Sequence, residues 1–188
     1  MENDCVNVVS FIFKGEIMSD YGNPDYWDER YLKNSEQMFD WLESYNSLKY
    51  LIRECEPDKT ARVLVLGCGN AEFSEDMYAD GYINLVNIDI SPVVIEQMQK
   101  RNENSTMEYT VMDVRELKYP DNSFDFVVDK STLDALLCGE LSFTNSAIML
   151  KEVQRVLKPN RYYMCISYGL PENRVLHFER PHLAFEVR

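Results

Sequence analysis

Short apolar runs alternate with amphipathic segments through most of the chain, which is the pattern of an α/β protein. The runs are typical of buried parallel strands and are predicted at residues 63–66, 82–88, 107–112, 124–128 and 161–167. Helices are predicted at residues 73–79, from Pro92 to about Asn102, and from Ser146 to about Leu157. The sequence therefore predicts a Rossmann-like, three-layer α-β-α fold with a mainly parallel sheet and helices on both faces.

The two ends of the chain are less regular. Residues 35–55 are predicted to form a helix, because Trp41, Tyr45, Leu48 and Ile52 recur at helical spacing. Residues 8–13 are apolar but few, which favours a small strand or a docking segment over a targeting sequence. The stretch 183–187 is a candidate sixth strand, and no seventh is visible, so we expect a sheet that lacks its last strand.

The segment Val63-Leu-Val-Leu-Gly-Cys-Gly-Asn-Ala71 carries the most informative chemistry. Gly67 and Gly69 let the backbone turn sharply and approach a ligand where any Cβ would intrude. Asp89 ends the next strand, twenty positions after Gly69, where a carboxylate can accept both hydroxyls of a ribose. Asp113 ends a third strand. Three such features at successive strand ends predict a pocket for a nucleoside.

A dinucleotide site is the first alternative. Its phosphate fingerprint requires glycine two and five residues after the first glycine, so that a helix N-terminus meets pyrophosphate. Those positions are Gly69 and Glu72 here, and a glutamate repels the anion. Glu72 is compatible with a cationic amino-acid nucleoside, so we expect S-adenosylmethionine as the cofactor. The remaining alternative is a set of ordinary turns in a structural domain.

The net charge, the apolar runs and the cysteines limit which partners, compartment and metal sites we expect. The net charge of -13 counts against nucleic acid and is compatible with a basic protein partner, although acidity also serves solubility alone. No apolar run approaches the length of a membrane span, so we expect no membrane association. The five cysteines lack metal spacing, which predicts free thiols, a cytoplasmic protein and no metal site.

Five segments carry a closer resemblance: Tyr26-Trp-Asp-Glu-Arg-Tyr31, Asp40-Trp41, Leu64-Val-Leu-Gly-Cys-Gly-Asn70, Met112-Asp-Val-Arg115 and Asp129-Lys-Ser-Thr-Leu-Asp-Ala135. Together they resemble the seven-strand, class I S-adenosylmethionine-dependent methyltransferases. Within these, the chain is similar to the elongation factor 1-alpha lysine methyltransferase group, including the member fused to an endothelin-converting enzyme. The resemblance covers residues from about 20 to 170.

The sequence departs from the class I pattern in three places. Val65 stands where many of these enzymes have an acid, and Ala71 stands where a third glycine is usual. We also expect the closing antiparallel hairpin of the family to be incomplete and the chain to be a shortened gene product. We expect residues 1–60 to be an N-terminal helical lid of the same domain, and residues 61–188 to be the S-adenosylmethionine-binding methyltransferase core.

The strand-end pattern and the resemblance together give a set of expected cofactor-binding residues: Trp27, Tyr31, Trp41, Gly67, Gly69, Asp89, Ile90, Asp113, Val114 and Lys130. Asp89 is expected to hold the ribose, while Asp113 and the Val114 backbone bind adenine. The aromatic residues are expected to line the cofactor and to stabilise its sulfonium. Core packing is the alternative for these aromatic residues, and a surface position is the alternative for Lys130.

The segment after the fourth strand bears on the methyl acceptor. Enzymes that methylate amino groups of nucleic acids have Asn/Asp-Pro-Pro-Tyr/Phe there, whereas this chain has Asp129-Lys-Ser-Thr, which argues against a base. We therefore expect a protein-lysine methyltransferase acting on a translation elongation factor, with S-adenosylhomocysteine as the product. A small-molecule methyltransferase and a non-catalytic binding module remain alternatives. Ser131 and Asp134 are expected to form a capping box, and no residue stands out as a catalytic base.

Overall fold

The computed structural model describes residues 4–10, 19–34 and 37–187. The strands are β1 (Asp4–Ser10), β2 (Arg62–Leu66), β3 (Asn84–Asp89), β4 (Glu108–Val111), β5 (Phe124–Lys130), β6 (Leu157–Ser167) and β7 (Phe185–Val187). The α-helices are α1 (Pro24–Lys33), α2 (Tyr45–Cys55), α3 (Phe73–Ala79), α4 (Pro92–Arg101), α5 (Thr132–Leu137), α6 (Ser142–Val156) and α7 (Pro171–Phe178). A short 3-10 helix, Ser19–Gly22, precedes α1.

The strands form one sheet in the order β4-β3-β2-β5-β6-β1-β7, and every described strand pair is parallel. The strand order reverses at β2, which lies between β3 and β5. Ligands of open parallel sheets bind beyond the carboxyl ends of the strands at such a switch point. The predicted Rossmann-like fold is therefore confirmed, and the candidate site is expected beside β2.

The edge beyond β6 differs from the sequence-based expectation. The described sheet has seven strands, because β1 pairs with β6 along residues 6–10 and 163–167, and β7 pairs with β1. The candidate strand at 183–187 is observed as β7, and no antiparallel strand is found among the described residues. The sequence did not predict the place of β1, which comes from the start of the chain and lies between β6 and β7. Part of the apolar stretch 8–13 lies in β1, and residues 11–13 lie outside the described residues.

Helices cover both faces of the sheet, as predicted. Leu64 and Leu66 of β2 pack in one core cluster with residues of α6, whereas Val63 and Val65 pack in another with residues of α2 and α3. A strand buried on both faces reads as a continuous apolar run, which explains the pattern at residues 63–66. None of the described helices has the length and apolar character needed to cross a membrane.

The helix predicted at residues 35–55 begins only at Tyr45. Ser44 has an extended backbone and caps the helix, its hydroxyl accepting from the Ser47 N–H at 3.3 Å. Residues 37–44 are not helical, and residues 35 and 36 lie outside the described part of the chain. Trp41 therefore does not share a helical face with Tyr45, and its spacing of four residues from Tyr45 was misleading.

The predicted capping box at the start of α5 is also wrong. Ser131 has a left-handed backbone with φ of 70° and makes no side-chain cap. The carboxylate of Asp129 takes that place and accepts the Thr132 N–H at 2.8 Å. Asp134 instead forms an ion pair with Arg174 of α7 at 2.7 Å and accepts the Tyr168 N–H, so it joins α5 to α7 and to the loop after β6.

Candidate active site

A cavity lies at the carboxyl ends of β2, β3 and β5, at the predicted switch point. All ten residues that the sequence analysis expected to bind the cofactor line it: Trp27, Tyr31, Trp41, Gly67, Gly69, Asp89, Ile90, Asp113, Val114 and Lys130. The sequence analysis did not single out Tyr21, Phe39, Phe73 or Arg115, which also line the cavity. Tyr21 lies in the 3-10 helix before α1, whereas Phe39 lies in the segment that the sequence analysis assigned to a helix.

The glycine loop after β2 forms the floor of the cavity, and a side chain at Gly67 or Gly69 would collide with neighbouring residues. Gly67 has φ of 53°, and a Cβ added there would lie 2.2 Å from the Thr132 hydroxyl oxygen. Gly69 has φ of 56°, and its Cβ would lie 3.0 Å from the hydroxyl of Tyr31. Left-handed backbone and close neighbours thus both favour glycine here, as the sequence predicted.

Asp89 stands at the end of β3 with only 6% of its surface exposed. Its carboxylate accepts the N–H groups of Gly69 and Ser91, each at 3.0 Å. Burial raises the pKa of Asp89 to about 6, although these backbone hydrogen bonds act in the opposite direction. Asp89 is thus a fixed carboxylate on the cavity wall, suited to accept hydrogen bonds from the hydroxyls of a sugar.

Asp113 is already engaged by a neighbour. The Arg115 side chain donates to both carboxylate oxygens at 2.6–3.0 Å, and the Arg115 N–H donates at 2.8 Å. Burial would raise the pKa of Asp113, but the hydrogen bonds and charge of Arg115 outweigh it and hold that pKa below its usual range. An adenine amine would therefore have to share Asp113 with Arg115.

Aromatic rings from the N-terminal segment form the opposite wall. Trp27 stacks between Tyr21 and Tyr31, with ring centroids 5.6 and 6.1 Å apart, and its indole N–H donates to the Tyr21 carbonyl at 2.8 Å. Trp41 meets Trp27 edge-on at 6.3 Å. Tyr31 also belongs to a core cluster with Val94, Ile95, Met98 and Tyr109, so it serves both packing and the cavity.

Lys130 connects this wall to the sheet. Its ammonium forms an ion pair with Asp40 and donates to the Trp41 carbonyl oxygen at 2.8 Å. Only 9% of its side chain is exposed, so the alternative of a surface lysine is wrong. Burial lowers the pKa of Lys130, and the carboxylate of Asp40 opposes that shift.

The residues present fit S-adenosylmethionine by their own geometry. The glycine floor admits a ligand that a Cβ would exclude, Asp89 offers acceptors for a ribose, and the aromatic wall suits a sulfonium cation. Glu72, at the phosphate position of a dinucleotide site, is exposed at the start of α3. These features favour a cationic nucleoside over a dinucleotide, and the individual residue roles stay predictions.

Comparison with known proteins agrees with this geometry. The methyltransferase domain family matches residues 64–165. The eEF1A lysine and N-terminal methyltransferase of Mus musculus is 40% identical over 168 residues, which cover 86% of this chain and 24% of that protein. EEF1A lysine methyltransferase 4 of Mus musculus is 33% identical over 180 residues, covering 89% of this chain and 69% of that protein. The chain thus spans about a quarter of the first relative's length.

Solved structures share the fold. A methyltransferase from Methanosarcina mazei, described as SAM-dependent, aligns with a TM-score of 0.58 and 25% identity over 69% of this chain and 62% of that one. The [4+2]-cyclase SpnF aligns with a TM-score of 0.53 and 23% identity over 79% of this chain and 58% of that one. Because one neighbour is named for a different reaction, the fold alone does not decide the chemistry. The sequence match and the geometry of the cavity together show that this chain belongs to the methyltransferase domain family.

Proposed function

We propose that this protein uses S-adenosylmethionine to methylate a lysine of translation elongation factor 1-alpha in the cytoplasm. The observation that carries this proposal is the 33% identity, over 89% of the chain, to a relative named for that activity. The five motif segments that suggested the same group from the sequence include every residue assigned to cofactor binding except Asp89 and Ile90.

In this proposal the residues of the cavity bind and orient. Asp89 accepts the ribose hydroxyls, Asp113 and the Val114 backbone bind adenine, and Trp27 and Trp41 cover the reacting centre. The cofactor supplies an activated methyl group on a sulfonium. Methyl transfer disperses charge, so alignment of the reacting atoms is expected to account for most of the acceleration. An acceptor lysine must arrive neutral, and a desolvating aromatic entrance lowers its pKa.

Two features support a protein acceptor. Asp129-Lys-Ser-Thr occupies the place of the motif that clamps nucleic-acid bases. The net charge of -13 favours a basic partner over a polyanion. Within residues 1–60, β1 is a strand of the sheet and α2 packs on it, so both belong to the core. We also propose that α1 and residues 37–44 act as the lid, because Trp27 and Trp41 close the cavity from these segments.

Radiolabelled S-adenosylmethionine incubated with purified elongation factor 1-alpha and, separately, with a cytosolic lysate tests the proposal. We expect label in the elongation factor, and mass spectrometry should place it on a lysine side chain. Label on the N-terminal amine would revise the acceptor group. Label in small molecules would favour a metabolite methyltransferase, and bound cofactor without turnover would favour a non-catalytic module. The Asp89→Asn variant should reduce any genuine signal.

A further inference from the structure

Residues 37–41, here called the strap, cross the cavity without belonging to a helix or strand. Phe39 and Trp41 of the strap line the cavity, while residues 37–40 are exposed to solvent. A segment with so little buried surface is held in place mainly by contacts from the core beneath it. The position of the strap therefore depends on its anchors.

Asn70 supplies one anchor through both groups of its side-chain amide. Its Nδ2 donates to the Gln37 carbonyl oxygen at 2.9 Å, and its Oδ1 accepts the Phe39 N–H at 3.3 Å. An amide offers a donor and an acceptor at one end of a short side chain, which suits a carbonyl and an N–H two residues apart. No other uncharged side chain of similar size offers both groups in this arrangement.

The side chain of Asn70 acts on the strap and not on the cavity. Gly69 and Ala71 line the cavity, whereas Asn70 between them does not, and only 7% of its surface is exposed. Its backbone is held from below, because Arg101 donates to the carbonyl oxygens of Asn70 and Ala71 at 3.1 and 3.2 Å. Arg101 thus fixes the backbone of the glycine loop, and from this loop the Asn70 side chain hydrogen-bonds to the strap.

Other contacts hold different parts of the strap. Lys130 binds Asp40 and the Trp41 carbonyl, at its second half. The guanidinium of Arg30 lies 5.1 Å from the Phe39 ring centroid and 5.3 Å from that of Trp41, which is half-buried. Asn70 fixes the first half, and Lys130 fixes the second. Loss of either anchor should let Trp41 swing away from Trp27.

We propose that Asn70 is a positioning residue for the cofactor: it does not touch the cofactor but holds the strap closed, so that Phe39 and Trp41 wall the cavity. The identity of the ligand rests on the proposed function above. The two hydrogen bonds between Asn70 and the strap do not depend on the proposed function, because they are present in the cofactor-free chain. Affinity for the cofactor then depends on the fraction of molecules whose strap is closed.

The test compares Asn70→Ala and Asn70→Asp with Asn84→Ala. Asn84, the first residue of β3, donates to the Thr60 carbonyl at 2.7 Å at the opposite end of the sheet, so it is a matched control. The chain has two tryptophans, Trp27 and Trp41, and 5-fluorotryptophan labelling gives one fluorine NMR signal for each. Phenylalanine variants at each position assign the signals.

In the cofactor-free protein, Asn70→Ala should move or broaden the Trp41 signal toward its position in the denatured chain, while Asn84→Ala leaves it unchanged. Loss of two hydrogen bonds is expected to raise the population of the open strap by about fivefold to hundredfold. Asn70→Asp keeps an acceptor for Phe39 but places a carboxylate oxygen against the Gln37 carbonyl oxygen, where two acceptors repel each other, so it should also open the strap. Calorimetric titration should show a weaker cofactor affinity for both variants than for Asn84→Ala.

An unchanged Trp41 signal in both Asn70 variants would overturn the proposal, whatever happens to cofactor binding. Equal changes at Trp41 and at amides of the central strands would overturn it as well, because they would mean that Asn70 supports the whole fold. If Asn70→Ala does not fold, the Trp41 fluorine signal and the cofactor titration of Asn70→Asp provide the test. Failure of the wild-type protein to bind S-adenosylmethionine would count against the proposed function alone, and the fluorine signals would still decide the role of Asn70.

Discussion

The ammonium of Lys130, at the end of β5, donates a hydrogen bond to the backbone carbonyl oxygen of Trp41 at 2.8 Å, across 89 positions of sequence. The same ammonium forms an ion pair with Asp40. The segments Asp40-Trp41 and Asp129-Lys130 were two separate parts of the resemblance in the sequence. Their contact shows that they form one structural unit, which joins the N-terminal segment to the switch point of the sheet.

Replacing Lys130 by methionine tests this unit. The variant keeps an unbranched apolar side chain but leaves Asp40 and the Trp41 carbonyl without their donor. Hydrogen bonds to charged groups contribute about 1.5–3 kcal/mol, so the dissociation constant for S-adenosylmethionine should rise by roughly ten- to hundredfold. Calorimetric titration measures it, with Lys151→Met on the exposed face of α6 as a control. Equal affinity of the two variants would show that Lys130 does not shape the site.

Cofactor binding should weaken in mild acid because of Asp89. Its pKa of about 6 means that the carboxylate gains a proton as the pH falls through that value, and a protonated acid accepts ribose hydroxyls less well. Affinity should be constant above pH 7 and about tenfold lower at pH 5. Titrations with S-adenosylhomocysteine between pH 5 and 8 measure this. The Asp89→Asn variant should bind weakly with a flat profile, and a pH dependence that persists in it would point to another group.

Trp27 and Tyr31 should respond differently to truncation. The resemblance in the sequence assigned both residues to the cofactor. Trp27→Ala should weaken cofactor binding, with a roughly two- to thirtyfold rise in dissociation constant, and leave the thermal midpoint nearly unchanged. Tyr31 has only 6% of its surface exposed and packs against Ile95 and Met98, so Tyr31→Ala should also cost about 3–5 kcal/mol of stability. Thermal melts of the cofactor-free variants separate the two effects, and equal midpoints would contradict this distinction.

Alanine at Gly67 should destabilise the protein more than alanine at Gly81. Both glycines have positive φ, of 53° and 105°, so both variants carry backbone strain of about 1–2 kcal/mol. Only at Gly67 would the new Cβ collide with Thr132, at 2.2 Å, whereas the nearest atom at Gly81 is 4.0 Å away. The total loss for Gly67→Ala should reach about 3 kcal/mol or more. Denaturant unfolding measures both, and equal losses would show that the loop yields to relieve the contact.

The sequence alone predicted those features that depend on neighbouring residues: apolar strands, a helix cap and glycine turns. The central strands read as apolar runs because both of their faces are buried. Pro92 marked the start of α4 because proline is favoured at the first helical position, and Ser91 before it caps that helix. Gly67 and Gly69 were recognisable because only glycine adopts their backbone without strain. Asp89 and Asp113 were recognisable because strand ends in a parallel sheet meet at one edge. These features predicted the fold and the position of the cavity.

Tertiary structure decided what depends on contacts between distant parts of the chain. The spacing of Trp41 from Tyr45 fits a helix, yet Trp41 is held outside the helix by Lys130, which lies 89 positions away. Likewise β1 joins the sheet by pairing with β6 and β7, which come from the other end of the chain, and Asp134 pairs with Arg174, 40 positions later. The spacing of apolar residues along a helix or strand shows which face is apolar, but it does not show which other element packs against that face. The free energy of such contacts comes from groups that meet only in the folded chain, so no local pattern in the sequence predicts them.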